Sequence, residues 1–520
     1  MNELELINTI SIRRTIFNKT IIKAKGKIAE REFESAAIYI QIAADYASRY
    51  HFGIFASPEI ENLLKEISKV VFTKGIEPRR NKHIKKVLHI ASELYATGGH
   101  TKIIQSWLSY DSTRVNDLAI TNQKKSKVPK SISEYFAKNK TKILYLKDRK
   151  KSILERSKEL YALSMNYDAI VLHVHPYDVI PLIAFSNSDI PVLFMNHADH
   201  RFWIGVSITN TILEIRKSGE MLSKNKRSIN ISNQVILPIP LFCKKIMTKE
   251  EARKNLKIGK DELVIFSVAS SYKYMPEKDE GIGEILLQVL EKRNNVKAII
   301  VGPFLSEDYW RALNKKSGGK IIPVGIKNNI DCYYVAADIY LDSYPISSLT
   351  SLLDAAKYEL PILSIENGGR GLELDDLSLD TLDFKVKSIN EMVAKLIFYI
   401  DNEEERKRFG AKCFEAIAKQ HLNPNWASQL DIIYESALRA KKGFDVGCFY
   451  TINDYDYAII NMYGKNLTKN QEYAIPLLAN LHLFPIWEKT KNILFITPKL
   501  LVSGKMIKII INKLTKSIRK

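Results

Sequence analysis

The sequence predicts an α/β protein with two doubly wound parallel-sheet domains, a helical region before them and an extension after them. From about residue 86 onward, short apolar strands alternate with segments of helical length, as in βαβ units. The alternation restarts after Pro238-Ile239-Pro240, so two blocks of ordinary domain size follow each other and would face a cleft. We therefore expect four regions, at residues 1–80, 81–240, 241–442 and 443–520.

Composition and charge limit the classes of function. Of the 520 residues, 46% are hydrophobic and 26% are charged, which excludes a disordered or collagen-like chain. The formal net charge of +20 indicates an acidic partner such as nucleic acid, anionic lipid or a phosphorylated small molecule. The 4 cysteines are scattered without a CxxC motif, so we expect a reducing compartment and neither a disulfide framework nor a structural zinc site.

The N-terminal region is predicted to be helical. Residues 33–50 are rich in Ala and Ile at helical spacing. Ser57-Pro58-Glu59 has the signature of a helix start, with Ser as N-cap, Pro in the first turn and an acid near the positive end of the helix dipole. The basic run from Arg79 to His83 predicts a linker to the first sheet.

The apolar runs of the two blocks predict their strands. Helices are expected between them at 101–109 and 152–164 in the first block, and at 282–292, 309–315, 349–357 and 389–400 in the second, with a further helix at 423–442. The predicted strands are 87–90, 143–145, 169–174, 192–195 and 235–237, then 263–268, 297–301, 321–324, 339–341 and 362–364.

The clearest candidate site lies in the second block, where a strand leads through a loop into a helix. Ser347, Ser348, Thr350 and Ser351 place four hydroxyls beside the free backbone N–H groups of a helix start, which suits a diphosphate. Asp354, about one turn deeper, suits vicinal ribose hydroxyls. Simple capping is the alternative, but this many hydroxyls exceed what a cap requires.

A lysine follows the first strand of the same block. Ser271, Tyr272 and Lys273 stand at the carboxyl end of that strand, where ligands gather in open α/β sheets. An ammonium group there can bind a phosphate and stabilise a leaving group. The alternative is that Lys273 is simply one of the many basic residues of a surface loop.

A glycine-rich turn connects the first strand of the first block to its helix. Gly98 and Gly99 permit close backbone approach to a ligand. His100 is then a candidate general base, because an imidazole titrates near neutral pH. A capping turn with an incidental histidine is the alternative.

A second polar cluster follows a later strand of the first block. His197, Asp199 and His200 stand beside Phe202 and Trp203, and such a set suits a sugar site in which rings stack and polar groups bind hydroxyls. The spacing of the two histidines beside an Asp is also compatible with a metal site. No third clustered ligand is apparent, however, so we expect no metal.

Two basic segments bear on macromolecular partners. Between residues 124 and 151 there are 11 Lys and Arg, but Tyr135, Phe136 and Tyr145 do not alternate with them as a stacking platform requires, so no nucleic acid is expected. In the segment 500–520, apolar residues from Ile507 share one helical face and basic residues occupy the other. Such a helix lies on an anionic bilayer surface or packs on its own domain with a solvated face.

The start of the chain and its hydropathy predict the compartment. The first residues lack the basic region and apolar stretch of a signal peptide. No uncharged apolar run approaches the roughly 18 residues of a spanning helix. We expect a cytoplasmic protein, with the segment 500–520 offering peripheral attachment to the inner face of the membrane.

Residues 85–440 resemble a GT-B glycosyltransferase, in which the second of two Rossmann-like domains holds the nucleotide-sugar donor. The most specific part, residues 334–364, is similar to the donor-binding region of O-GlcNAc-transferase-like and HMW1C-like enzymes. Thr350-Ser351 and Asp354 keep that group's spacing between a diphosphate-binding hydroxyl pair and a ribose-binding Asp, and Leu349 stands in place of its usual His. Tyr272-Lys273 resembles its Tyr-Lys pair, and the Gly-Gly-His turn is similar to the loop of MurG-type enzymes.

The resemblance implies a sugar transferase whose co-substrate is a UDP-sugar, with no other cofactor and no metal. His100 would be the base, Lys273 would contact the departing diphosphate, and the turn and the His197 cluster would contact the acceptor. The Glu-x7-Glu signature of many retaining relatives is missing, since Ile346 and Asp354 stand at its positions, so inversion is implied. The acceptor would be a glycan, a lipid-linked precursor or a protein, in bacterial surface polysaccharide synthesis. A UDP-sugar epimerase of the same fold and a non-catalytic scaffold are the alternatives.

Overall fold

The predicted fold class is confirmed by a computed structural model, which contains two parallel sheets with surrounding helices. Its contacts divide the chain into two compact units: unit 1 is Met1–Tyr95, Asp111–Leu237 and Leu430–Lys520, and unit 2 is Ala96–Tyr110 and Pro238–Gln429. The structure describes residues 3–72, 83–95, 99–147, 151–241, 247–276, 281–327, 329–366, 379, 381–422, 425–443, 452–453, 456–457, 459–460 and 469–500.

The strands form one sheet in each unit. They are β1 (Lys86–Ala91), β2 (Val115–Ile120), β3 (Ile143–Tyr145), β4 (Ala169–His173), β5 (Val192–Asn196), β6 (Thr211–Glu214), β7 (Gln234–Ile236), β8 (Leu263–Val268), β9 (Val296–Val301), β10 (Ile321–Pro323), β11 (Ile339–Leu341), β12 (Ile362–Ile365) and β13 (Lys385–Val386). The orders are β3-β2-β1-β4-β5-β6-β7 in unit 1 and β10-β9-β8-β11-β12-β13 in unit 2, and all neighbouring pairs are parallel.

Both sheets reverse their winding direction at one point. In unit 1 the chain moves outward from β1 to β3 and then returns to place β4 beside β1, with Ala91 opposite His173. In unit 2 it moves from β8 to β10 and then places β11 beside β8, with Tyr340 opposite Phe266. At such a switch point the loops that follow the two central strands diverge and leave room for a ligand.

The helices cover the sheets and form the two terminal regions. They are α1 (Glu3–Ala29), α2 (Phe33–Arg49), α3 (Pro58–Val71), α4 (Gly99–Tyr110), α5 (Lys130–Lys138), α6 (Ile153–Ser164), α7 (Val179–Phe185), α8 (Lys217–Arg227), α9 (Lys249–Leu256), α10 (Ile282–Lys292), α11 (Asp308–Lys316), α12 (Asp331–Ala336), α13 (Leu349–Lys357), α14 (Ile389–Asp401), α15 (Glu403–His421), α16 (Asn425–Arg439), α17 (Lys469–Asn480) and α18 (Ile486–Leu500).

The helical N-terminal region is part of unit 1 and packs with the C-terminal extension. Ser57 caps α3 as predicted, its side chain accepting the N–H of Ile60 at 3.3 Å. Every residue of α2 from Ser35 to Ser48 is buried, as expected for a helix enclosed on all sides. Arg13 of α1 lies 2.6 Å from Glu472 of α17, so the two ends of the chain form one layer of unit 1.

Three strands of the structure, β2, β6 and β13, are not among the predicted ones, because their sequences lack the apolar run that marks the other strands. Only the second half of β2 is buried, and its first half reads as polar. The strand β13 is two residues long. The strand β6 ends in Glu214, which is fully buried and accepts hydrogen bonds from Asn196 and Ser223. Burial raises the pKa of Glu214 to about 7, and these hydrogen bonds oppose that shift.

Candidate functional site

The switch point of unit 2 brings together the lysine and the hydroxyl-rich segment of the predicted site. Lys273 lies in a short 3₁₀ helix that follows β8, and its Nζ donates to the Ser347 carbonyl at 2.9 Å. The Ile346 N–H donates in turn to the Lys273 carbonyl at 3.3 Å. Burial lowers the pKa of Lys273, and the charge of Asp342 opposes that shift. The loops after β8 and β11 are therefore hydrogen-bonded to each other, as expected for loops that follow two adjacent parallel strands.

A buried carboxylate organises the loop between β11 and α13. Asp342 is 2% exposed, and its Oδ1 accepts the N–H groups of Ser343 at 2.8 Å and Ser348 at 2.9 Å. Its Oδ2 accepts the hydroxyl of Ser347 and that of Ser364, the latter at 2.9 Å. Burial raises the pKa of Asp342, and these hydrogen bonds oppose the shift. The residue was not singled out from the sequence, although it follows a strand directly.

The hydroxyls of the segment differ in what they offer a ligand. The proton of Ser347 is used by Asp342. Ser348 and Ser351 share one hydrogen bond of 2.9 Å between their hydroxyls, and the Ser351 side chain also interacts with the buried Tyr334 and Tyr340. The hydroxyl of Thr350 makes no hydrogen bond with the described residues. The start of α13 therefore offers the hydroxyl of Thr350 beside its backbone N–H groups.

Helix α4 lies against this segment within unit 2. A Cβ on Gly99 would stand 3.0 Å from Thr350 Cγ2, so the predicted close approach at the glycine turn is made to the start of α13. Further along α4, Trp107 packs edge-on against Trp426 at 5.6 Å between ring centroids. His100 is thus one residue beyond the contact with Thr350, whereas Gly98 lies outside the described residues.

The carboxylate predicted to bind ribose forms an ion pair that the sequence did not reveal. Asp354 is 8% exposed, with its Oδ2 2.9 Å from Lys102 Nζ and its Oδ1 3.4 Å from Lys357 Nζ. Burial alone would raise the pKa of Asp354, but the two ammonium groups outweigh it and hold that pKa below its usual range. Lys102 lies one turn into α4, and only the contact between α4 and α13 identifies it as the partner of Asp354.

The other residues predicted beside Lys273 are less engaged with the site. The Ser271 hydroxyl donates to the Glu307 carboxylate, which uses its proton. Tyr272 is 57% exposed and belongs to the surface of the same turn. Their roles in binding a donor stay predictions.

The polar cluster of the first block lies in unit 1. Asp199 is buried, pairs with Arg216 at 2.7 Å and accepts the His200 N–H at 2.7 Å. Burial would raise the pKa of Asp199, but the Arg216 guanidinium outweighs it and holds the pKa well below its usual range. His197 Nδ1 lies 3.3 Å from the Met195 carbonyl. These contacts favour a structural role for Asp199, and sugar binding by the cluster stays a prediction.

The described part of the chain contains neither a cluster of metal ligands nor a membrane-spanning helix. Within the described ranges, no group of three or more His, Cys, Asp or Glu side chains is arranged to hold a metal ion. Of the helices in the described part of the chain, none is long and apolar enough to cross a membrane. The basic segment predicted at 500–520 lies outside the described residues from residue 501 onward.

Comparisons with known proteins show the fold. HepE of Anabaena, in complex with UDP and glucose, matches at 12% identity with a TM-score of 0.53, covering 68% of this chain and 100% of that one. The pneumococcal O-GlcNAc transferase GtfA, in complex with UDP and GlcNAc, matches at 10% identity with a TM-score of 0.51, covering 69% and 100%. No protein-family profile matches the chain, and no curated protein matches its sequence. These neighbours are GT-B glycosyltransferases, so the chain has the GT-B fold.

Proposed function

We propose that the chain is a glycosyltransferase that moves a sugar from a UDP-sugar to an acceptor hydroxyl. One observation carries the proposal: Lys273 contacts the segment that leads into α13 at the switch point of unit 2, and Asp354 follows on the same helix. An ammonium group, hydroxyl protons and helix N–H groups suit a diphosphate, and a charged carboxylate suits ribose hydroxyls. The GT-B fold, with neighbours solved in complex with UDP, supports the same reading.

Each group has a proposed role in the transfer. Lys273, Thr350 and the Ser348–Ser351 pair stabilise the negative charge of the departing diphosphate, as a preorganised positive site does in other transfers. Asp354 binds the ribose. Because these groups neutralise the leaving group, we propose a reaction that needs no metal ion. His100, which follows Gly99 at the start of α4, takes the proton of the acceptor hydroxyl.

The finer features of the function are also proposals. We propose inversion at the anomeric carbon, with the Gly-rich turn and the His197 cluster on the acceptor side. The high positive charge of the chain favours an acidic or lipid-linked acceptor, which suits bacterial surface glycan synthesis on the cytoplasmic side of the membrane. A protein acceptor remains an alternative outcome of product analysis.

Titration with UDP and product analysis test the proposal. The wild-type chain should bind UDP saturably, whereas a non-catalytic scaffold gives no saturable heat. With a sugar donor and an acceptor the chain should release free UDP, whereas an epimerase converts the donor without any acceptor. His100→Ala should lose turnover and keep UDP binding, because the base acts on the acceptor. Full turnover in that variant would overturn the assignment of the base.

A further inference from the structure

Unit 1 has a pocket at its own switch point, separate from the residues assigned to the donor. The loop after β1 contributes Glu93, and the loop after β4 contributes His175 and Tyr177. Helix α2 contributes Gln41, and Asn480 ends α17 at the same pocket. The cavity measures about 130 Å³, so it admits a small molecule or one terminal group of a larger one. The two terminal regions of the chain thus enclose a sheet edge at which ligands commonly bind.

The loops that form the pocket are fixed by a buried carboxylate. Asp178 is fully buried and caps α7, its side chain accepting the N–H of Ile180 at 3.2 Å. It also accepts the Ser92 hydroxyl at 2.6 Å and the Thr121 hydroxyl. Ser92 Oγ accepts the His175 N–H at 2.8 Å. The loops after β1 and β4 are therefore held together before any ligand arrives.

One side of the pocket is a set of hydrogen-bonding side chains. The Tyr95 hydroxyl donates to Glu93 at 2.7 Å and lies 3.2 Å from His175 Nε2. The other ring nitrogen of His175 lies 3.2 Å from the Tyr177 hydroxyl. The second carboxylate oxygen of Glu93 can accept a hydrogen bond from a hydroxyl group.

A buried amide oxygen supplies an acceptor without a partner. Gln41 is 4% exposed, and its Nε2 donates to Asn480 Oδ1 at 2.6 Å. This orientation is fixed, because Asn480 Nδ2 donates to the Pro476 carbonyl at 2.9 Å. The Gln41 Oε1 is then a buried acceptor that no described residue satisfies. Since an unsatisfied buried acceptor is costly, the pocket calls for a donor such as a hydroxyl.

On another side of the pocket, two cationic side chains, Lys147 and Arg156, have hydrogen-bond donors that no described residue uses. Lys147 lines it, is half-buried, and makes no hydrogen bond or ion pair with the described residues. Arg156 is 1% exposed, its Nη1 donates to the lining residue Asn122 at 2.9 Å, and its Nη2 is buried without a partner among the described residues. Burial lowers the pKa of Lys147, and the charge of Arg156 adds to that shift. An oxyanion beside Lys147 would relieve both effects.

We infer that this pocket binds a small hydroxylated anion. Its carboxylate or phosphate group is held by Lys147, and its hydroxyl groups are held by Gln41 and Glu93. Of the other charged lining residues, Asp45 is paired with Arg49 at 2.6 Å, and Glu93, whose charge also acts on Lys147, accepts the Tyr95 hydroxyl at 2.7 Å. The inference is independent of the proposed function, because it concerns a different set of residues in unit 1.

Calorimetric titration of the full chain with glycerol 3-phosphate, glycerate and glycerol tests the inference. We expect saturable binding of at least one of the two anions, and the stronger one identifies phosphate or carboxylate as the group that Lys147 binds. Glycerol should give no saturable heat. Lys147→Met should weaken binding at least about tenfold, as the loss of a charged hydrogen bond predicts, and Lys147→Arg should restore most of it.

A matched variant controls for the loss of one positive charge. Lys130→Met removes a lysine of unit 1 whose side chain is 90% exposed, and it should bind the anion as the wild type does. Equal weakening in the Lys130 and Lys147 variants, or no saturable binding of either anion by the wild type, overturns the inference. An unchanged midpoint of urea denaturation in Lys147→Met reports that the variant is folded, and it does so whether or not the chain binds UDP.

Discussion

Lys102 Nζ lies 2.9 Å from Asp354 Oδ2, although 252 residues separate the two in sequence. The pair joins α4 to α13 within unit 2, next to the close approach of Gly99 to Thr350. Because Lys102 and Lys357 overcome the effect of burial on Asp354, its carboxylate is charged at neutral pH and held in one orientation. This charged carboxylate supports the proposed role of Asp354 in accepting two hydroxyls of a ribose.

Asp354→Asn should weaken the binding of UDP and of uridine by a similar factor, of about ten. Both ligands contain the ribose, and the variant replaces a charged acceptor by a neutral amide. Isothermal titration with each ligand measures the two factors. A variant that loses affinity for UDP alone would assign Asp354 to the diphosphate instead.

Lys273→Ala should weaken the binding of UDP by roughly 10- to 100-fold and leave that of uridine unchanged. The reason is that Lys273 faces the hydroxyl segment of α13, where only the diphosphate would lie. Lys316→Ala removes an exposed lysine at the end of α11 and serves as the matched control. An equal loss for uridine would show that the variant disturbs the whole site.

Asp342→Asn should lower the free energy of unfolding of unit 2 by roughly 2–4 kcal/mol, because an amide nitrogen would face donors that now bind a carboxylate oxygen. Asp342 accepts four hydrogen bonds in a fully enclosed position. Hydrogen exchange of the peptide that contains β11 measures the change, with the exposed Asp308→Asn as control. Unchanged exchange in both variants would remove Asp342 from its role as organiser of the loop.

Acid should destabilise unit 1 partly through Asp199. Its pKa is depressed in the folded chain, so it contributes stability that is fully present above its ordinary pKa of about 3.9 and is lost as pH falls toward the folded value. Asp199→Asn should therefore be less stable than the wild type at pH 7, and the difference should shrink below about pH 4. Hydrogen exchange of the peptide containing β6 at several pH values measures it. A constant difference across that range would contradict the assignment.

Arg13→Ala should lower the free energy of unfolding of unit 1 by about 3–5 kcal/mol, since it leaves the buried carboxylate of Glu472 without its partner. The double variant Arg13→Met with Glu472→Leu should recover most of this loss, because it buries no charge. Urea denaturation of the wild type and the variants compares them. If the double variant is as unstable as Arg13→Ala, packing rather than charge explains the effect.

Local sequence signals were sufficient for much of the fold. The bounds of α10 and α13 agree with the predicted 282–292 and 349–357, because both helices have an apolar face of helical period and clear starting signals. The proximity of Lys273 to Ser347 was also predictable, since both follow strands whose carboxyl ends meet at one edge of a parallel sheet.

The remaining features depend on contacts between distant parts of the chain. The grouping of α4 with unit 2 arises from Trp107 against Trp426 and from Lys102 against Asp354, and no local pattern contains these pairs. A buried strand position for Glu214 could be predicted only from the knowledge that Asn196 and Ser223 donate hydrogen bonds to its carboxylate. The domain boundaries stated from the sequence therefore stay a prediction.

The layer formed by α1, α2 and α17 has a consequence for synthesis of the protein. Arg13 and Gln41 meet partners that lie 459 and 439 residues later in the chain. At about 5–20 residues per second, a ribosome takes roughly 20 to 90 s to reach those partners. During that time the apolar surface of the first two helices is uncovered in the nascent chain, so chaperones that shield emerging polypeptides should raise the yield of soluble protein.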